Sequence, residues 1–120
     1  MVELRILVTG GAGFLGSSLC HSLIELGHRV VALDSLFRGT KDNLTEILDD
    51  ENFTFLHADV RDVAALDSAV ETLGGLDLVY HLAAVNGTKW FHEAAHSVID
   101  VNINGTLRTL ELAMAHDARY

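Results

Sequence analysis

The chain has 120 residues, 49% hydrophobic and 21% charged, which suits one globular domain with a workable core and excludes a disordered or low-complexity class. Eight Lys and Arg against 17 Asp and Glu give a net charge of -9, and no basic cluster occurs, which argues against nucleic acid and acidic membranes as partners. Cys20 is the only cysteine, so no internal disulfide forms, and with no signal peptide and no bilayer-length apolar stretch a cytoplasmic location is expected.

The first apolar run, residues 4–9, ends in Val8-Thr9-Gly10-Gly11-Ala12-Gly13-Phe14-Leu15-Gly16. It reads as a strand turning through glycines into an amphipathic helix over residues 14–26, with Leu15, Leu19, Leu23 and Leu26 on one face and Gly27 as the stop. Gly10 is expected to allow the tight turn, Gly13 to leave room for a pyrophosphate, and Gly16 to let the helix pack closely on the strand. The free amides and positive end of that helix then face the anion. Cys20, among Leu19, Leu23 and Ile24, reads as a buried small hydrophobe rather than a reactive thiol.

A second strand, residues 29–33, is closed by Asp34, which lies 21 residues after Gly13, near the roughly 20-residue spacing of a ribose-binding acid. A carboxylate there accepts from both ribose hydroxyls and repels a 2′-phosphate, favouring NAD over NADP. Arg38, which can reach a 2′-phosphate, opposes that preference. The bland alternative is that Asp34 merely caps a loop. A polar loop (35–42) leads to a short helix near 43–48 and then to a third strand, residues 53–57, followed by Asp59, a turn former or a contact for adenine. Asp62 caps a helix carrying the Val63, Leu66, Val70 and Leu73 stripe, which Gly74-Gly75 ends. The fourth strand, residues 76–84, is apolar on both faces, as a covered parallel strand should be.

The alternation of strand and helix predicts an α/β fold with a parallel sheet and helices on both faces. The last helix, residues 94–116, is apolar on two sides: Ile99, Ile103, Leu107, Leu110 and Met114 on one, Val98, Val101 and Leu112 on the other. Only Asp100, Asn104, Arg108 and Glu111 form a solvated arc, so a partner subunit or further chain is expected to cover what the sheet does not.

Five ordered segments resemble the extended short-chain dehydrogenases/reductases, within them the NAD-dependent epimerase/dehydratase branch: the glycine turn 9–16, the adenosine loop 33–39, Ala58-Asp59-Val60-Arg61-Asp62, Tyr80-His81-Leu82-Ala83-Ala84, and the Asn102-containing stretch 101–107. The resemblance implies the four-strand N-terminal portion of a larger, doubly wound Rossmann domain. It implies that Gly10, Gly13, Phe14, Leu15 and Gly16 line the pyrophosphate turn and that Asp34, Ser35, Arg38 and Gly39 surround the adenosine ribose. Asp59 and Val60 would meet adenine, Leu82, Ala83 and Ala84 would run beside the nicotinamide, and Asn102 would hold local backbone geometry. Most members act on nucleotide-diphosphate sugars, so a small-molecule substrate of that class is implied, and the helix 94–116 resembles one used for homodimer contacts.

The family's catalytic Tyr-x-x-x-Lys pair has no counterpart: Tyr80 is followed by Ala84, and Tyr120 is the last residue. A tyrosine with an ordinary pKa near 10 needs a nearby Lys to accept a proton, so the chain reads as a cofactor cradle without catalytic residues, its substrate domain absent. Two other readings stand beside this. One is a non-catalytic dinucleotide-binding or redox-sensing module. The other is a zinc hydrolase, because His92-Glu93-Ala94-Ala95-His96 matches H-E-x-x-H, although the third ligand and the metzincin extension are missing and no metal site is assigned. In the loop 86–91, Lys89 and Trp90 are candidates for substrate contact or for simple packing, and His81 reads as a satisfied core histidine.

Overall fold

In the computed structural model, which describes residues 2–85 and 87–120, four parallel strands lie in the order β3-β2-β1-β4: β1 (Arg5–Thr9), β2 (Arg29–Asp34), β3 (Phe53–His57) and β4 (Leu78–His81). The helices are α1 (Phe14–Glu25), α2 (Val63–Leu73), α3 (Thr88–Glu93) and α4 (Ala95–Ala115). The period-two alternation of the central strands divides the core. Ile6, Val8, Val30 and Ala32 pack with Cys20 and Leu23 of α1. Leu7, Val31 and Leu33 face Leu66, Val70 and Leu73 of α2 and Leu112 of α4. Both faces of the sheet are therefore covered, as the unbroken apolar strands require. Leu66 at 1% exposure illustrates the stripe, since burying such a side chain stabilises by about 1.5–3 kcal/mol.

Sequence cues set most boundaries. Asp62 caps α2 by accepting from the Ala65 amide at 3.2 Å, and Gly74 ends it in the left-handed region at φ 76°. The helix expected over 43–48 is instead a 3-10 turn, Lys41–Leu44, because the Thr40 hydroxyl accepts from the Asp42 amide and starts the turn early. Leu44 and Ile47 are buried as an apolar pair nonetheless.

The strand expected over 76–84 is shortened at both ends. Arg5 and Asp77 tie its start to β1, with the Arg5 amide and Nε both donating to the Asp77 carboxylate at 2.8 and 3.0 Å. Its end leaves the sheet at Leu82 because β1 has already turned away at Gly10, removing the ladder partner. Beside β4, the Val79 amide donates to the Arg119 carbonyl at 2.8 Å and the Arg119 amide to the Asp77 carbonyl at 3.0 Å, a single parallel bridge on that edge.

One face of α4 is buried at Val98, Thr109, Leu112 and Ala113, the last two in the core with the sheet, while Ile99, Ile103, Leu107, Leu110 and Met114 are 38–73% exposed. Its polar arc is less solvated than expected, since Asp100 pairs with Arg61. Among the described residues no helix is long and apolar enough to cross a membrane.

Cys20 is buried, and burial pushes its thiol up to about 12. The thiolate is the reactive form, so Cys20 should resist a disulfide reagent at pH 8 in the native protein and react fully once denaturant is added. Rapid labelling without denaturant would contradict its place in the core.

Candidate functional site

The C-terminal ends of the strands open into one cleft of about 510 Å³, within the range of small-molecule and cofactor sites. Eleven of the residues singled out from sequence line it: Gly10, Gly13, Asp34, Ser35, Arg38, Gly39, Asp59, Val60, Leu82, Ala83 and Ala84. Ligand sites in open parallel sheets lie at this end, where strand order reverses. Here that point falls between β1 and β4.

The glycine turn forms one wall. Gly10 takes φ 70°, and a Cβ there would lie 2.9 Å from the Ala83 nitrogen and the Leu82 carbonyl carbon. Turn and β4 end are thus in direct backbone contact. At Gly13 a Cβ would meet only the Gly10 oxygen, at 3.4 Å, so its outer side is open. Gly16 packs on the turn rather than on the strand: a Cβ would sit 2.1 Å from the Gly10 oxygen. Gly11, which carried no role in the motif, is equally constrained, its Cβ position being 2.5 Å from the Ala32 side chain.

Phe14, Leu15 and Gly16 do not line the cleft with side chains, Phe14 and Leu15 being 87% and 70% exposed. Gly13 is the N-cap of α1 in extended conformation, so the first-turn amides have no intrahelical acceptor, an arrangement suited to an anion.

Asp34 ends β2 at 8% exposure and links three segments. Its Oδ2 accepts from the Ala12 amide at 2.9 Å and its Oδ1 from the Leu36 amide at 2.8 Å, holding Leu36 at φ 63°. It therefore closes a loop, as the bland reading held, while also lining the cleft. A carboxylate has about four acceptor sites, so two backbone bonds leave room for hydroxyl donors. Gly39 is packed at the same point, a Cβ there falling 2.7 Å from the Ala12 carbonyl carbon and 3.0 Å from Asp34 Oδ2.

Asp59 is not a free acceptor. Its Oδ1 accepts from the Arg61 amide at 2.8 Å and from Arg61 Nε at 2.9 Å. Arg61 also bonds Asp100, which accepts from Asn104, so a chain of charges joins the end of β3 to α4. Hydrogen bonding from Arg61 holds the Asp59 carboxyl below the usual range, and hydrogen bonds from Asn104 and Arg61 do the same for Asp100. The sequence alone assigns Arg61 no role, and its two-residue spacing from Asp59 is the local cue to the pair.

The rim and wall include residues for which the reading made no cofactor assignment. Phe37 from the loop after β2 meets Trp90 of α3 edge-on at 4.9 Å, with Lys89 Nζ 4.9 Å from the Trp90 ring centre. Trp90 thus lines the cleft and also packs, from a helix where a loop over 86–91 is expected, while Asn86 lies outside the described residues. Gly105, in mid-helix, lets α4 approach Val60, its Cβ position being 2.5 Å from a Val60 methyl. A glycine inside a helical pattern costs about 1 kcal/mol against Ala and signals close packing.

Asn102 sits off the cleft and holds backbone geometry: its Oδ1 accepts from the Val85 amide at 2.8 Å and its Nδ2 donates to the Val85 carbonyl at 3.1 Å. The H-E-x-x-H stretch does not form one helical face. The first helix ends at Glu93 and Ala94 takes φ -144°, ψ 44°, so His92 and His96 lie on separate helices. Among the described residues no three His, Cys, Asp or Glu are grouped to hold a metal ion.

This geometry can be set beside known proteins. The family model described as NAD dependent epimerase/dehydratase family matches residues 6–120. UDP-glucuronic acid decarboxylase 1 of Arabidopsis thaliana is 36% identical over 98% of this chain and 25% of its own length. A probable dTDP-glucose 4,6-dehydratase of Sinorhizobium fredii is 39% identical over 92% of this chain and 31% of its own. Among solved structures, Thermus thermophilus UDP-glucose 4-epimerase in complex with NAD superposes with a TM-score of 0.81 at 31% identity, covering 96% of this chain and 35% of that one. Streptomyces venezuelae dTDP-glucose 4,6-dehydratase, also solved with NAD, gives 0.84 at 30% identity, covering 96% and 37%. The chain thus spans about a quarter to a third of the curated relatives it matches. With its parallel Rossmann sheet and a match running from β1 to its last residue, the chain belongs to the NAD dependent epimerase/dehydratase family.

Proposed function

We propose that this chain is the cofactor-binding part of an epimerase/dehydratase-type enzyme that acts on a nucleotide-diphosphate sugar by transient hydride transfer. The observation that carries it is the convergence on one cleft of the glycine turn, Asp34 and the Leu82–Ala84 backbone, brought from three strands. The cradle fits a dinucleotide. Gly13 leaves its outer side open, the first-turn amides of α1 face an anion, and Asp34 has acceptor capacity for ribose hydroxyls. When bound, NAD supplies reversible acceptance of a hydride from a sugar carbinol. This chain's own residues bind and orient: the glycine turn at the pyrophosphate, Asp34, Ser35, Arg38 and Gly39 around the adenosine ribose, Asp59 and Val60 at adenine, and Leu82, Ala83 and Ala84 beside the nicotinamide.

The proton released with the hydride needs an acceptor, and on this reading a Tyr-x-x-x-Lys pair, which residues 1–120 do not contain, supplies it. The substrate domain, a homodimer through the apolar stripe of α4 and a cytoplasmic location belong to the same reading, the last supported by the single buried thiol of Cys20. A protein whose full chain carries no Tyr-x-x-x-Lys after Tyr120 would bind the cofactor without turning over sugar, which is the non-catalytic alternative.

The negative charge of Asp34 at the cleft supports NAD rather than NADP. Calorimetry of the full-length protein should give NAD+ a dissociation constant about tenfold or more below that of NADP+, the like-charge cost of a 2′-phosphate beside a carboxylate. Equal affinities would assign the controlling contact to Arg38.

A further inference from the structure

Thr9, at the end of β1, has every hydrogen-bonding site of its hydroxyl committed. Its Oγ1 accepts from the Ala83 amide at 3.1 Å and from the Leu82 amide at 3.0 Å, the latter N–H being shared with the Thr9 carbonyl at 3.1 Å. Amides only donate, so both lone pairs are filled and the single O–H is left for its third neighbour, Nδ1 of His81, at 2.7 Å. Nδ1 must then be the unprotonated nitrogen, and the proton of the neutral ring sits on Nε2. On that side lies Thr106 of α4, whose Oγ1 is 3.2 Å from Nε2 and donates its own proton to the Asn102 carbonyl at 2.7 Å. Thr106 can accept from Nε2–H without conflict. One assignment satisfies every donor and acceptor: Thr106 to the Asn102 carbonyl, His81 Nε2–H to Thr106, Thr9 O–H to His81 Nδ1, and the amides of Leu82 and Ala83 to Thr9.

From this directed chain we infer that His81 is a positioning residue of the cofactor site: held as the neutral Nε2–H tautomer, it makes Thr9 a pure acceptor toward the cleft and so sets the Leu82–Ala83 backbone against the glycine turn. The inference rests on the proposed cofactor function of the cleft. Its leverage comes from close contact, since the Ala83 nitrogen and Leu82 carbonyl carbon lie 2.9 Å from where a Cβ of Gly10 would stand. Displacing one wall moves the other. The neutral state agrees with the surroundings. Burial lowers the His81 pKa, and the ring is flanked by Thr9, Thr106 and the Tyr120 ring at 6.1 Å, with no described carboxylate paired to it. An imidazolium would carry a proton on Nδ1, facing a hydroxyl whose own proton has no other acceptor. Thr9 would then have to release an amide.

The test uses the full-length protein. Nitrogen NMR of histidine-labelled wild type at pH 7 should show His81 as the Nε2–H tautomer, and an Nδ1–H or cationic ring overturns the assignment. Amide hydrogen exchange at Ala83 should accelerate about tenfold in His81→Leu, which removes the acceptor of the Thr9 O–H, with a smaller change at Leu82, whose amide also bonds the Thr9 carbonyl. It should be largely restored in His81→Asn, whose Oδ1 occupies the Nδ1 position. The NAD+ dissociation constant should follow the same order, about five- to tenfold weaker in His81→Leu and recovered in His81→Asn. Equal effects of the two variants on exchange reduce His81 to packing and refute the positioning role. If wild type binds no NAD+, the cofactor reading fails, while tautomer and exchange still decide whether His81 orders this backbone. If His81→Leu does not fold, the wild-type tautomer and the Asn variant decide it.

Discussion

Gly16→Ala in the full-length protein should lower stability by about 3 kcal/mol or more in urea unfolding and abolish measurable NAD+ binding. The added methyl would stand 2.1 Å from the Gly10 oxygen and 2.9 Å from both the Gly10 carbonyl carbon and the Gly11 Cα. All three are backbone atoms, so no side-chain rotation relieves the overlap. Retreat of the turn is blocked as well, because Gly10 already abuts Leu82 and Ala83 while Gly11 abuts Ala32. The turn is held between α1, β2 and β4, and a methyl at Gly16 must pry one of them away. Gly13→Ala gives the opposite separation. Its φ of -77° is open to any residue, and the nearest atom to its new methyl is 3.4 Å away. It should fold within about 1 kcal/mol of wild type, the difference between Gly and Ala at an N-cap, yet bind NAD+ at least about tenfold more weakly. A stable Gly16→Ala protein, or a Gly13→Ala protein that binds normally, would separate the glycine turn from its assigned role.

Strand and helix periodicity, the Asp62 cap and the spacing from Gly13 to Asp34 are local features written in consecutive residues, and they placed the sheet and most of the cleft. Contacts between segments distant in sequence leave no such trace. Gly11 against Ala32, Gly105 against Val60 and the Arg61–Asp100 pair depend on how layers meet, and a glycine or an arginine has many possible neighbours in an unfolded string. The expected strand runs past the end of β4 for the same reason. Residues 82–84 remain apolar enough for a strand, yet the partner strand has turned away at Gly10 after a last bond from the Leu82 amide to the Thr9 carbonyl, and the Ala83 amide goes to the Thr9 hydroxyl instead. The H-E-x-x-H match failed for a local reason invisible in composition: the backbone at Ala94 breaks the helix between the two histidines.

Asp34→Ala is expected to weaken NAD+ binding by about 100-fold and to lower stability by about 2–4 kcal/mol, measured by calorimetry and urea unfolding of the full-length protein. The two effects share one origin. Ala12 is fully buried, so losing the acceptor at 2.9 Å leaves its amide without a partner, at a cost of about 1–3 kcal/mol. Leu36, a non-glycine residue at φ 63°, loses the bond that holds it in a region costing about 1–3 kcal/mol, so the loop carrying Ser35, Arg38 and Gly39 is released. Asparagine should not rescue it. Both carboxylate oxygens receive backbone N–H donors, so an amide side chain must turn its NH2 toward one of them and set donor against donor. Asp34→Asn should therefore fall close to Asp34→Ala in stability. With the charge gone, both variants should also narrow the gap between NAD+ and NADP+, because Arg38 remains at the cleft while the carboxylate no longer repels a 2′-phosphate. Unchanged NAD+ affinity in a folded Asp34→Ala protein would leave Asp34 as a loop-closing residue only, and the ribose contact would pass to Ser35 and the backbone of the loop after β2.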